Sequence, residues 1–128
     1  MTKLIGLAIV FAAALSAQTY SGSADVSNCS ILAGWAWDGT NNPVSVDIYD
    51  NGVPLVSPLA NIFRQDLLNA GIGNGYHGYN IATPTTLKDG TAHLITVYFG
   101  GTANQMPGGG NVVSITCTGG PGYQYYYT

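Results

Sequence analysis

Short segments in which apolar and polar residues alternate recur along most of the chain. A period of two places every second side chain on the same face, which is the pattern of a half-buried β-strand. Clusters of Gly, Pro, Asn and Asp separate these segments and are typical of turns. The pattern predicts an all-β fold, an antiparallel β-sandwich of about six to eight short strands, with strands at residues 29–37, 44–49, 53–59, 76–83, 94–99 and 112–118.

Two local features refine this prediction. Asn51-Gly52 suits a type I′ hairpin turn, because both central residues of that turn need a positive φ angle. Pro54 and Pro58 mark the returning strand as an edge strand or a bulge. Residues 61–70 lose the alternation, so we expect one short helical turn there.

The aromatic residues of these strands allow two interpretations. Trp35 and Trp37 share a face with Ile31 and Ala33, so we expect both tryptophans to be core residues. Alternatively, flat aromatic rings could stack on sugar rings. The candidates for such stacking are Trp35, Trp37, Tyr49, Tyr76 and Tyr79.

The N-terminal region has the form of a secretory signal peptide. Lys3, an apolar run over residues 4–15 and the cleavage-site triplet Leu15-Ser16-Ala17 follow one another. The run is shorter than the roughly 20 apolar residues that span a bilayer. We therefore expect residues 1–17 to be removed and residues 18–118 to form one exported domain without a membrane span.

Charged residues are scarce. Asp, Glu, Lys and Arg make up 7% of the chain, against roughly 25% in average globular proteins. Without residues 1–17, only Arg64 and Lys88 remain to balance six aspartates. This acidic balance makes nucleic acid an unsuitable partner, and the small number of like charges favours self-association.

Two cysteines, Cys29 and Cys117, lie near the two ends of the predicted domain. An oxidising compartment favours joining them, so we expect a disulfide that closes a loop of nearly the whole domain. Free thiols or a metal pair are the alternative interpretation, but two sulfurs without a nearby pair of histidines make a poor metal site. We expect no cofactor and no bound metal.

The composition changes after residue 118. Gly119-Gly120-Pro121-Gly122 has the form of a linker. The segment that follows is rich in tyrosine, with Tyr123, Tyr125, Tyr126 and Tyr127. Because tyrosine combines β-propensity with a large aromatic surface, residues 119–128 could add to a sheet edge of a neighbouring subunit. The alternative interpretation is a disordered, solvated tail.

Five motifs occur in order along most of the chain. They are Gly34-Trp35-Ala36-Trp37-Asp38, Val44 to Asp50, Arg64-Gln65-Asp66-Leu67, Gly71 to Tyr79 and Asp89-Gly90-Thr91-Ala92-His93. In these motifs the chain resembles a small secreted bacterial β-sandwich module. The resemblance implies an Ig-like accessory domain of extracellular proteins and carries over no catalytic residues. The tyrosine-rich tail departs from the pattern of that module.

The polar residues of these motifs have structural and functional interpretations. Arg64 is the only arginine, and its guanidinium suits pinning a loop to the sandwich through a carboxylate; ligand binding is the alternative. Its candidate partners are Asp66, Asp47 and Asp38. His77 and His93 lie beside turns, where a neutral imidazole can link backbone groups across loops. For both histidines a general base or a metal ligand is the alternative.

Catalysis and calcium binding find little support in the sequence. Asp47 and Asp50 are the candidate pair of carboxylates for a glycosidase. Their odd spacing, however, puts the two side chains on opposite faces of a strand. A Ser-His-Asp site lacks the Gly-x-Ser-x-Gly turn that presents a nucleophile. Residues 38–42 offer oxygen ligands for calcium, although an Asx turn explains them more simply.

These observations favour a non-enzymatic secreted subunit that assembles with copies of itself into an extracellular fibre or surface matrix. The tail would be the contact to the neighbouring subunit. The alternative is an extracellular carbohydrate-binding or adhesion module, in which Trp37, Tyr49 and Tyr79 contact the glycan.

Overall fold

The computed structural model describes residues 19–107 and 112–121. Within these residues the strands are β1 (Ser21–Ser27), β2 (Ile31–Trp37), β3 (Val44–Asp50), β4 (Val53–Val56), β5 (Leu59–Ala60), β6 (Ile62–Phe63), β7 (Tyr76–Ala82), β8 (Ala92–Phe99) and β9 (Val112–Thr116). The helix α1 (Gln65–Asn69) precedes β7, and a 3₁₀ turn (Thr85–Leu87) follows it. The predicted signal peptide and the four tyrosines of the tail lie outside the described residues.

The strands form two antiparallel sheets. Sheet 1 has the strand order β1-β2-β7-β6, and sheet 2 has the order β4-β3-β8-β9, with β5 also paired to β3. If β1 is named strand A, these orders are the A-B-E-D and C′-C-F-G arrangements of immunoglobulin-like sandwiches. The predicted antiparallel Ig-like β-sandwich is therefore confirmed.

The strand count differs from the prediction at three places, and at one of them the predicted strand over residues 53–59 is divided into β4 and β5. The alternation does not predict β1, because its buried residues Gly22 and Ala24 are too small to stand out as apolar. The segment expected to be helical contains β6 as well as α1. The chain changes sheets here, since β5 pairs with β3 in sheet 2 while β6 pairs with β7 in sheet 1.

The core lies between the sheets and is built from alternate residues of the long strands. Val46 and Ile48 of β3 and Ile95 and Val97 of β8 are at most 1% exposed. Burying one such side chain fully contributes about 1.5–3 kcal/mol. The other core residues include Ala24, Leu32, Ala36, Leu87, Phe99, Met106 and Ile115.

The tryptophans of β2 lie on the face opposite to the expected one. Leu32, Gly34 and Ala36 are buried, whereas Trp35 and Trp37 are only half-buried. The prediction that both tryptophans belong to the core is wrong. Tyr79 fills the core beside this strand, because a Cβ at Gly34 would lie 2.8 Å from the Tyr79 ring. Both faces of β2 are apolar, so the alternation cannot tell which of them faces sheet 2.

The structure confirms the predicted hairpin turn and the presence of a short helix. Asn51 and Gly52 have φ angles of 50° and 82°, as a type I′ turn requires. The strand that follows, β4, is an edge of sheet 2, as its proline predicts. The helix α1 is shorter than the expected segment and ends before Gly71, whose φ angle of 78° stops the helix.

The predicted disulfide between Cys29 and Cys117 is present, with the two Cα atoms 5.6 Å apart. It joins the connection between β1 and β2 to the residue after β9. Because the two cysteines are 88 residues apart, the chain-entropy account gives a stabilisation on the order of 4–5 kcal/mol. No helix in residues 19–107 and 112–121 has the length and apolar character needed to span a bilayer.

Candidate functional site

The outer face of sheet 1 carries several apolar residues. Antiparallel sheets of a sandwich usually pair a buried apolar face with a solvated polar one. Sheet 1 instead carries apolar residues on its outer face as well, and these include Ala33, Trp35, Ile62, Phe63 and Tyr76. Of these, Ile62, Phe63 and Tyr76 are 44%, 39% and 53% exposed. This face is the candidate interaction surface of the domain.

Four of the exposed apolar residues lie on β6, on α1 and at the start of β7, and we call them the edge patch. It consists of Ile62, Phe63, Leu68 and Tyr76. The rings of Phe63 and Tyr76 have their centroids 5.0 Å apart. A Cβ at Gly75 would lie 2.9 Å from Phe63 Cε1 and 3.1 Å from Leu68 Cβ, so both side chains border the same glycine. The patch lies along β6, which is an edge strand of sheet 1.

Arg64 bridges the outer face of sheet 1. Its Nε and Nη2 donate to the two carboxylate oxygens of Asp66, at 3.0 and 2.6 Å. Its Nη1 donates to Asp25 Oδ2 of β1 at 2.9 Å. Gly78 leaves room for the bridge, since a Cβ there would lie 2.9 Å from Arg64 Cδ. The arginine therefore links the β6 edge to the β1 edge over the face of the sheet.

The electrostatics of this bridge hold both partners in their charged forms. Hydrogen bonding to Asp66 raises the pKa of Arg64, and the bond to Asp25 adds to the effect. The same bond lowers the pKa of Asp66. Of the three predicted partners, Asp66 is the one in contact. No pattern in the sequence indicates Asp25, which lies 39 residues away along the chain.

A shallow groove of about 400 Å³ lies between the edge patch and this bridge. Its lining includes Ala33, Ile62, Phe63, Arg64 and Gly78. The volume is at the small end of the range for ligand pockets. Because the walls are largely apolar and the guanidinium is already paired with carboxylates, the groove is suited to an uncharged apolar or aromatic group.

His93 lies in a cluster at the end of the sandwich that holds the disulfide, which we call the disulfide end. Its Nδ1 is 2.8 Å from Asp50 Oδ1, and its Nε2 is 2.9 Å from Asp89 Oδ1. Hydrogen bonding to Asp89 raises the pKa of His93, as does the bond to Asp50, although partial burial opposes them. The two carboxylates favour the protonated imidazole, the form that has no free lone pair to act as a general base. Thr91 Oγ1 lies 3.2 Å from Nε2.

His77 lies at the opposite end, which we call the loop end, beside Trp37 and the segments 38–43 and 70–75. It is 0% exposed, and neither ring nitrogen has a hydrogen-bond partner among the described residues. Burial lowers the pKa of His77, while the charge of Asp38 opposes the shift. A Cβ at Gly73 would lie 2.7 Å from His77 Nε2, so the backbone of this loop covers the ring.

The residues proposed for sugar stacking lie on different parts of the sandwich and do not form one surface. The indole Nε1 of Trp37 donates to Thr40 O at 2.7 Å, which ties the ring to its own loop. Tyr79 is 3% exposed and burial raises its pKa, so its ring offers no open face to a sugar. Tyr49 lies on sheet 2, where its ring meets Tyr98 at 5.4 Å. These two tyrosines line a second pocket, of about 440 Å³.

The carboxylates considered for catalysis or calcium binding already accept hydrogen bonds from neighbouring groups. Asp47 accepts hydrogen bonds from Ser57 Oγ and from the backbone N–H of Gly101, both at 2.9 Å. Asp38 Oδ1 accepts from the N–H and the hydroxyl of Thr40, as an Asx turn does. Over residues 19–107 and 112–121, no group of three or more His, Cys, Asp or Glu side chains is placed to hold a metal ion.

Comparison with known proteins identified no relative of this chain. No family model matches the chain, and neither a curated protein nor a solved structure matches it.

Proposed function

We propose that this protein is a secreted, non-enzymatic structural subunit that assembles with copies of itself into an extracellular fibre or surface matrix. The observation that carries the proposal is the group of exposed apolar side chains on the outer face of sheet 1, which includes Ile62, Phe63 and Tyr76. Exposed apolar patches of this kind mark interaction surfaces in soluble domains. A self-assembling subunit uses such a surface to contact its neighbour.

Charge and covalent structure support the same proposal. With only 7% charged residues, two copies meet little electrostatic repulsion when they approach. The Cys29–Cys117 disulfide suits an oxidising compartment outside the cytosol. The two histidines do not favour catalysis, because His93 is held by two carboxylates and His77 is covered by a loop.

The experiment is to image the purified protein, after secretion, by negative-stain electron microscopy. We expect fibres or sheets for the full chain and only monomers for a variant that lacks residues 122–128. This deletion keeps Gly120, whose N–H donates to Lys88 O at 3.0 Å and anchors the end of the domain. Strictly monomeric full-length protein at high concentration would rule the proposal out.

Carbohydrate binding is the second candidate function, and one observation favours it. The Tyr49–Tyr98 pocket on sheet 2 combines two aromatic rings with the hydroxyl groups of Thr96 and Thr102. Aromatic rings and hydroxyls are the groups that contact a sugar. A glycan-array signal from the full chain that is lost in Tyr98→Ala, with folding retained, would favour this alternative over assembly.

A further inference from the structure

We infer that the edge patch of one copy receives the tyrosine-rich tail of the next copy, residues 122–128, in a head-to-tail contact. This inference rests on the proposed function and identifies the two surfaces that it needs. The acceptor is the surface of Ile62, Phe63, Leu68 and Tyr76 beside the free side of β6. The donor is the segment Gly-Tyr-Gln-Tyr-Tyr-Tyr-Thr.

The chemistry of the two surfaces matches. The donor segment contains four tyrosines and no charged side chain, so docking on an apolar surface buries no ionised side chain. Tyrosine rings pack edge-to-face or offset against other aromatic rings, and the acceptor offers the Phe63–Tyr76 pair. The adjacent groove is of a size and polarity to take one ring. As an edge strand, β6 also presents backbone groups to which an added strand can bond.

The position of the donor argues for a neighbouring copy over the chain's own patch. Gly120 is fixed at the disulfide end, against Lys88 and the carbonyl of Thr85. The edge patch lies at the loop end, where β7 begins at Tyr76. From Tyr76 to Ala82 the strand spans about 20 Å, at about 3.3 Å per residue.

The backbone of one chain cannot carry the Cα atoms of its own Tyr123 and Tyr125 over this distance. At about 3.5 Å per residue, Tyr123 reaches only about 10 Å from Gly120, and Tyr125 about 18 Å. Tyr126 and Tyr127 reach the patch only if the segment is fully stretched. A second copy placed end to end meets no such limit, and all four tyrosines can then contact one patch.

The contact is heterologous, because its two halves are different surfaces at opposite ends of the molecule. A contact of this type leaves a free donor at one end of each assembly and a free acceptor at the other. Growth therefore continues into a filament unless the rotation per subunit closes a ring. The inference assigns the polarity of the fibre: the disulfide end of each subunit faces the loop end of the next.

Two complementary variants of the secreted chain test this arrangement. The acceptor-only variant lacks residues 122–128 and keeps the edge patch. The donor-only variant carries Ile62→Thr and Tyr76→Thr, which remove two exposed apolar side chains while retaining β-propensity. The matched control carries Val53→Thr and Leu94→Thr, because these residues are 62% and 44% exposed on strands of sheet 2. Far-UV circular dichroism and intact mass verify the fold and the disulfide of each variant.

Sedimentation velocity then distinguishes the outcomes. We expect the acceptor-only variant and the donor-only variant each to be monomeric alone. A 1:1 mixture of the two should form dimers that do not grow further. The control should assemble like the unmodified chain. Loss of the patch should weaken association on the order of 10-fold or more. Dimers in the mixture support the inference, and a monomeric mixture overturns it.

Two further results separate this inference from the proposed function. If the donor-only variant assembles like the unmodified chain while the deletion does not, the patch is not the acceptor and the inference fails, although self-assembly stands. If the unmodified chain itself never assembles, the proposed function fails together with the inference.

Discussion

The two ends of the sandwich each contain a nearly buried histidine, and the surroundings of the two imidazoles differ. At the disulfide end, His93 is 8% exposed and lies between the carboxylates of Asp50 and Asp89. At the loop end, His77 is 0% exposed and its ring nitrogens have no partner among the described residues. Nearby carboxylates therefore raise the pKa of His93, whereas burial lowers the pKa of His77.

This difference shows what each end contributes to the molecule. The disulfide end is tied by covalent and ionic links, and it also fixes the last described turn of the chain, because Gly90 N donates to Cys117 O at 2.7 Å. The loop end depends on packing and on backbone contacts around His77, and the edge patch lies there. A rigid end that carries the tail and an apolar end that receives it fit the proposed head-to-tail assembly.

The largest expected effect is at the disulfide end. Replacing both cysteines, Cys29→Ala and Cys117→Ala, should lower the free energy of unfolding by about 2–5 kcal/mol, because it releases a long loop in the unfolded chain. Urea titration followed by tryptophan fluorescence measures this loss. The reduced unmodified protein is the control and should show a similar loss. A loss below about 1 kcal/mol would mean that the other contacts at this end suffice.

A smaller effect is expected for the two histidines, whose replacement should change the free energy of unfolding by different amounts. His93→Ala leaves Asp50 and Asp89 without their shared cation and should cost about 1–2 kcal/mol, a value reduced by the partial exposure of the carboxylates. His77→Leu removes a polar ring that has no described partner and should change stability by less than about 1 kcal/mol in either direction.

Chemical denaturation at pH 6 measures both values for the histidine variants. The control His77→Asn keeps a polar group in the buried position and should be less stable than His77→Leu. Equal losses for His93→Ala and His77→Leu would contradict the contrast between the two ends.

The smallest effect is the pH dependence of stability, which has opposite signs at the two ends. The pKa of His93 is raised above 6.5 on folding, so its contribution is complete below about pH 6.5 and is lost as the pH rises through the raised value. The pKa of His77 is lowered below 6.5, so its contribution is complete above about pH 6.5 and declines as the pH falls.

Unfolding free energies between pH 5 and pH 9 test these signs. The variant His93→Gln should lose the decline on the alkaline side and keep the decline on the acid side. The variant His77→Leu should do the reverse. A profile that neither variant changes would show that other groups set the pH dependence.

Much of the fold could be predicted because the signals are local. In β3 the apolar residues alternate with polar ones, β8 is rich in β-branched and aromatic residues, and both strands occur where the sequence predicts strands. Asn51-Gly52 predicts its turn because few other residues accept two positive φ angles in succession. The disulfide follows from there being only two cysteines in a chain with a predicted signal peptide.

The candidate site could not be predicted in the same way, because it depends on contacts between distant segments. The edge patch brings residues of β6, α1 and β7 together. The alternation predicts that Trp35 and Trp37 belong to the core, but the ring of Tyr79 occupies the core space beside Gly34. Only the pairing of β2 with β7 shows which face of β2 is exposed to solvent.

The sequence by itself determined the all-β class, the position of most strands, the hairpin turn and the cysteine pair. Periodicity, turn propensity and a single possible pairing depend on residues that are local or unique. The tertiary structure alone decided which face of sheet 1 meets sheet 2, that Arg64 binds Asp25 as well as Asp66, and that one histidine is held by carboxylates while the other is not. These outcomes depend on which surfaces pack together, and packing is a property of distant residues that no local pattern records.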